Sequence, residues 1–230
     1  NMGALGESRF GAGRGVSNMA YVKVATGTGC GLVVNGSIYR GSFGSAGELG
    51  HVTIDEEGPL CDCGNRGCLE TFASAHAIVH DAVHGISLAR EGSTARPTPR
   101  DEASTDIADV VTAALAGDPA AIAAIRRAGE HVGVAVAGLV NLMNPSLILI
   151  DGGVARAGDI LLEPIRNAIA TRSLKAASTN ACVELAALGE DAIALGAVAA
   201  VIDAAFSLPQ TPAMQPHHIH SSYRSTPAGS

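Results

Sequence analysis

Gly47-Glu-Leu-Gly-His51, followed ten residues later by Cys61-Asp-Cys-Gly-Asn-Arg-Gly-Cys-Leu-Glu70, is the most informative stretch of this 230-residue chain. It places His51, Cys61, Cys63 and Cys68 in one turn-rich segment. Three thiols and an imidazole are a complete ligand set for a closed tetrahedral zinc site. Gly64 and Gly67 supply the backbone freedom that a knuckle between close cysteines needs. With no coordination position left open, such a metal is structural. Two other readings are a disulfide and an unconnected set of loop residues. Three cysteines within eight residues, in a chain with only two others, favour the metal.

Outward from this segment, composition sets the bounds. Hydrophobic residues are 47% of the chain and charged ones 16%, as in a globular protein. Ala and Val dominate the apolar content and Trp is absent, which predicts a core of small side chains with closely packed backbones. A net charge of −7 gives no electrostatic footprint for nucleic acid. No apolar run reaches the roughly 18 residues of a membrane span. Five cysteines without signal-peptide architecture point to the cytoplasm, with Cys30 and Cys182 as buried thiols.

Upstream of the cysteines, Met2–Phe10 reads as a helix and Tyr21–Val24 as a strand. Thr26-Gly-Thr-Gly-Cys-Gly31 then runs into Leu32–Val34, and Asn35-Gly36 is a hairpin turn. On an extended chain Gly27, Gly29 and Gly31 share one face, bare of side chains, where phosphates can approach backbone amides. The same glycines equally suit a tight hairpin. No Lys-Ser or Lys-Thr follows, and no helix opens here, so this is neither a Walker loop nor a dinucleotide fingerprint.

Downstream, Leu69–His84 reads as one helix with His76, His80 and His84 on one face, best taken as a solvated stripe that meets no partners. Gly92–Asp101 is a loop. Thr105–Ala116 and Asp118–Leu142 are Ala-rich helices, the second opened by Asp118-Pro119 and closed by Asn144-Pro145. Leu147–Ile150 is a strand buried on both faces, and Asp151-Gly-Gly153 at its carboxyl end is either a ligand-binding turn or an ordinary one. A helix over Asp159–Thr171, a strand at Cys182–Glu184 and a helix over Ala192–Ala205 follow. The Pro, Ser, Thr and His-rich end, from about residue 206 to 230, is a disordered tail.

Taken together, these residues resemble the ROK family of transcriptional repressors and sugar kinases, over about residues 1–205. Val24, Gly27, Thr28, Gly29, Gly31 and Leu32 match one half of its signature; Gly41, Gly47, Gly50 and His51 match the other. The family's zinc pattern falls on His51, Cys61, Cys63, Gly64, Gly67, Cys68 and Glu70. Asn144-Pro145 and Asp151-Gly-Gly153 are similar to its later segments. The resemblance implies an α/β, actin/hexokinase-like (ribonuclease H-like) fold, mainly its larger C-terminal lobe. It implies sugar or sugar-phosphate contacts from Glu48, His51 and Glu70 over a structural zinc.

In the kinases it further implies ATP, with phosphates at Gly27, Gly29 and Gly31 and adenosine at Gly152 and Gly153. The family's Asp-x-Gly-x-Thr loop and catalytic Asn-Asp pair would precede Asn1, as would a repressor's helix-turn-helix. The chain therefore reads as part of a longer polypeptide, without a catalytic residue or phosphoryl transfer of its own, and DNA would be met only through that preceding part. Ala25, Cys30 and Ala73-Ser74-Ala75 depart from the usual kinase pattern. The sequence thus favours the sugar-sensing effector region of a regulator, with the lobe of a glucokinase-like ATP-dependent kinase as the alternative. A homodimer or larger assembly is expected.

Overall fold

The computed structural model describes residues 1–84 and 105–206. The predicted loop Gly92–Asp101 lies outside these residues, as does the predicted tail apart from Phe206.

A five-stranded mixed sheet runs in the order β3-β2-β1-β4-β5. The strands are β1 (Met19–Val24), β2 (Thr28–Val34), β3 (Ser37–Tyr39), β4 (Leu147–Asp151) and β5 (Cys182–Leu185). The first three form an antiparallel meander, and β4 and β5 continue it in parallel. Asn35 and Gly36, both at positive φ, make the β2–β3 turn that the Asn-Gly pair predicts. Val22, Ile148 and Ile150 are fully buried, as central strands covered on both faces require.

Alternation along the strands divides the core in two. Ala20, Val22, Val24, Cys30, Leu32, Ile148 and Ile150 pack towards α3 (Ala75–His84), α4 (Ile107–Leu115), α5 (Pro119–Met143) and α6 (Asp159–Arg172). Tyr21, Val33, Leu147 and Leu149 face α1 (Met2–Phe10) and α8 (Ala192–Phe206). Small residues let these helices close up, as the composition predicts. A side chain at Gly6 or Gly196 would collide with backbone of the partner helix in the α1–α8 pair, and Gly133 of α5 lies against Ile165 and Ala168 of α6.

Local chemistry sets the element ends. The Asp118 carboxylate accepts from the Ala120 and Ala121 N–H groups at 3.0 and 2.9 Å, and Pro119 opens α5. Asn144 closes it in the left-handed conformation. The predicted helix over Leu69–His84 is two helices, α2 (Glu70–Ala73) and α3, because Ser74 is extended. The Ser74 hydroxyl accepts from the Ala77 N–H at 3.2 Å, and the break lets the Ala75 N–H donate to the Ala25 carbonyl at the end of β1. Cys182 is exposed on edge strand β5, not buried as expected, because its strand inserts only Val183 into the core. The short helix α7 (Lys175–Ser178) precedes that strand. No single helix among the described residues is long and apolar enough to cross a membrane.

Candidate metal centre and adjoining clefts

His51 ends a short 3-10 turn, Leu49–His51, that lies against the start of β2. A side chain at Gly50 would collide with the Thr28 carbonyl, and one at Gly47 with the Cys30 carbonyl, so both glycines permit that approach. The Cys30 N–H donates to the Gly47 carbonyl at 2.9 Å. The cysteine loop is tied to this turn in the same way: the Ile54 N–H donates to Gly67 and the Leu69 N–H to Val52, at 2.8 and 2.9 Å. Gly64 and Gly67 both take positive φ, as the knuckle reading requires.

The result brings His51, Cys61, Cys63 and Cys68 together, with their ligand atoms all within 4.8 Å of one another. His51 Nδ1 lies 3.7 Å from Cys61 Sγ, and Cys63 Sγ lies 3.6 Å from Cys68 Sγ. The edge of a tetrahedron built on ~2.3 Å Zn–S bonds is about 3.8 Å, and these two separations are close to it. All five cysteines are free thiols in this structure. Hydrogen bonding from the Asn65 N–H draws the Cys63 thiol down to about 7, while burial and the neighbouring thiols push Cys68 up to about 12. The arrangement can hold a metal ion.

Two clefts lie along β1, on either side of Lys23 and Ala25. The first, of about 410 Å3, is lined by Gly27, Gly29, Gly31, Glu48, Tyr21 and Lys23, among others. Gly29 and Gly31 share a sheet face as predicted; Gly27 sits in the bend between β1 and β2, where the Ala25 N–H donates to its carbonyl at 2.9 Å. Glu70 packs against this bend: its carboxylate accepts the Thr28 N–H at 2.8 Å and fills the space a side chain at Gly27 would take. Glu48 is exposed on the cleft wall, whereas His51 stands with the cysteines.

The second cleft, of about 270 Å3, is lined by Lys23, Asp151, Gly152, Gly153, Arg156 and Glu190, among others, at the carboxyl ends of the parallel strands. Gly152 has a φ of +108° and sits hard against the Val24 carbonyl. Lys23 and Ala25 belong to both clefts.

Sequence reasoning passed over a polar group at this junction. Lys23 and Asp151 are register partners on β1 and β4, with Nζ and Oδ2 3.9 Å apart. The buried Tyr21 hydroxyl donates to the same carboxylate oxygen, and burial followed by that carboxylate raises the phenol above its ordinary range. Only the strand pairing brings these residues together.

The histidine stripe is also less isolated than its spacing implies. His76 and His80 line a hollow of about 490 Å3 with Asp81 and with Arg127 and His131 of α5. The Arg127 guanidinium meets the Asp81 carboxylate at 2.7 Å, and the His131 ring stacks on Phe72 with centroids 4.6 Å apart.

Comparison with known proteins fits this geometry. The ROK family model matches residues 1–204. A glucokinase from Halalkalibacterium halodurans is 41% identical over 197 residues, covering 85% of this chain and 59% of that protein. A xylose repressor from Caldicellulosiruptor bescii is 35% identical over 210 residues, covering 91% of this chain and 52% of that protein. The crystal structure of a ROK family transcriptional regulator, a homologue of the E. coli MLC protein, superposes with a TM-score of 0.76 at 34% identity, covering 86% of this chain and 49% of that one. The chain thus spans only about half to three-fifths of the length of these relatives. Its α/β architecture is the actin/hexokinase-like fold of such proteins, and the chain belongs to the ROK family.

Proposed function

We propose that this chain is the zinc-bearing, hexose-binding lobe of an ATP-dependent sugar kinase of the glucokinase type. The observation that carries this reading is the pair of adjoining clefts with a common wall at Lys23 and Ala25. A protein that only senses a sugar needs one ligand site; a transferase needs two that meet. The 41% identity to a glucokinase supports the same reading.

This reverses the order that the sequence favours, and the departures behind that order lose weight for structural reasons. Cys30 is among the residues lining the glycine cleft, but its side chain packs with the core on the sheet face opposite Gly29. Ala25 acts through its backbone, accepting from Ala75 and donating to Gly27. Ser74 caps α3.

In this reading zinc is held by His51, Cys61, Cys63 and Cys68 and keeps the loop folded. With Nδ1 among the thiols, His51 has Nε2 left to meet a sugar hydroxyl. Glu48 and Glu70 accept hydrogen bonds from neighbouring hydroxyls. Glu70 has one carboxylate oxygen on the Thr28 N–H, which fixes the direction of the other. Phosphates lie towards Gly27, Gly29 and Gly31, and the nucleoside towards Gly152 and Gly153. No residue of this chain is assigned as the general base.

Calorimetry and a coupled assay on the intact protein test the proposal. Glucose binding, MgATP binding and ATP turnover dependent on glucose are expected, and Glu48→Ala is expected to weaken glucose by ~10–100-fold, as loss of a charged hydrogen bond does. Full sugar affinity in that variant would remove the site. Sugar binding without any ATP binding would return the chain to the regulator reading, which its likeness to the xylose repressor and to the MLC homologue supports.

A further inference from the structure

The glycine cleft has an unusual electrostatic make-up for an anion site. The Thr28 N–H is given to Glu70, and the Cys30 N–H to the Gly47 carbonyl. The Ala25 N–H donates to the Gly27 carbonyl and the Thr28 and Cys30 N–H groups point away from β1, so by the alternation of antiparallel ladders Lys23 and Gly29 turn their N–H groups across the strands to each other. The Thr28, Gly29 and Cys30 amides are therefore engaged within the protein. A phosphoryl group entering here needs its positive charge from a side chain.

Among the residues lining the cleft, Lys23 is the one Lys or Arg. Its position suits the task. Register partners share a sheet face, so Lys23 lies beside Gly29 on one side and Asp151 on the other. Helix cover on this face ends just before that point: a side chain at Gly31 would strike Ala4 of α1, whereas one at Gly29 would meet nothing within 4 Å. Lys23 thus stands beside an open, side-chain-free patch at Gly29, with its ammonium group on the Asp151 side. Its ion pair with Asp151 is long, at 3.9 Å, and the lysine side chain keeps 32% of its exposure. Asp151 also accepts from the Tyr21 hydroxyl, so the carboxylate keeps a partner when Lys23 swings away from it.

We propose that Lys23 is the cationic contact for a phosphoryl group bound over Gly29, at the seam where the two clefts meet. The inference rests on the two-cleft kinase reading and names a residue within it. The phosphoryl group belongs either to a nucleoside triphosphate or to a sugar phosphate, and a lysine at the seam serves both.

The test is calorimetry on the intact protein with three titrants: glucose, MgATP and glucose 6-phosphate. Lys23→Met is expected to weaken whichever phosphate ligand the wild type binds by ~10–100-fold, with glucose affinity kept within about twofold. Lys23→Arg, which retains the charge, is expected to recover most of the loss. The titrant that responds identifies the source of the phosphoryl group. Lys23→Met combined with Asp151→Asn removes both charges, so that no unpaired carboxylate remains to disturb the fold or repel the ligand, and the same loss is expected.

Unchanged phosphate-ligand affinity in Lys23→Met overturns the proposal. Full recovery in the double variant does so as well, since the defect would then be repulsion by Asp151. Wild-type protein that binds glucose but neither phosphate ligand also overturns it, while leaving the sugar site intact. Loss of glucose binding by the wild type would instead count against the sugar reading.

Discussion

Gly152 has a φ of +108° and lies so close to the Val24 carbonyl that a side chain would collide with it. Gly152→Ala is therefore expected to destabilise the protein by about 1–3 kcal/mol through backbone strain, before counting the contact. A lower urea midpoint with an unchanged slope would show this. The sequence marks Asp151-Gly-Gly153 as the end of a strand but leaves open whether the glycines serve a ligand or a turn. The structure gives Gly152 a steric reason of its own, since β4 and β1 converge there. Glu70 teaches a related lesson. The family resemblance marks it as a candidate, but its anchoring on the Thr28 N–H is visible only once α2 is seen beside the β1–β2 bend.

At the scale of elements, α5 meets α2 and α3 through His131, Arg127, Phe72 and Asp81. Burial lowers the His131 pKa; Glu130, Asp81 and Asp55 pull the other way, and Arg127 adds to the lowering. A histidine whose folded pKa lies below its unfolded value takes up fewer protons when folded. Its contribution is complete above the ordinary histidine range, near 6.5, and is lost as pH falls through that range. Stability is expected to decline between about pH 7 and 5, and His131→Gln is expected to flatten that part of the profile, measured as urea midpoint against pH. An unchanged profile would mean that other groups carry the dependence. Helix periodicity located His76, His80 and His84 on one face but said nothing of α5. The break at Ser74 was likewise hidden, because Ala-Ser-Ala sits comfortably in a helix until the Ala25 carbonyl competes for the Ala75 N–H.

For the whole molecule, the cysteine loop links the turn at His51, the start of β2 and α2. Analysis of the intact protein is expected to find one zinc per chain, and removing it with a strong chelator is expected to lower Tm by about 5–15 °C, a few kcal/mol at this size. A metal-free preparation with an unchanged Tm would refute the structural ion. The sequence by itself determined most of the elements, the family resemblance and the four residues that cluster as candidate metal ligands, because hydrophobic period, caps, turn glycines and ligand spacing are local properties of a chain. It could not determine the Tyr21–Asp151–Lys23 group, the clefts that meet beside it, or the exposure of Cys182. Those depend on which strands become neighbours, and residues 128 apart such as Lys23 and Asp151 face each other only after the parallel β1–β4 pairing has formed.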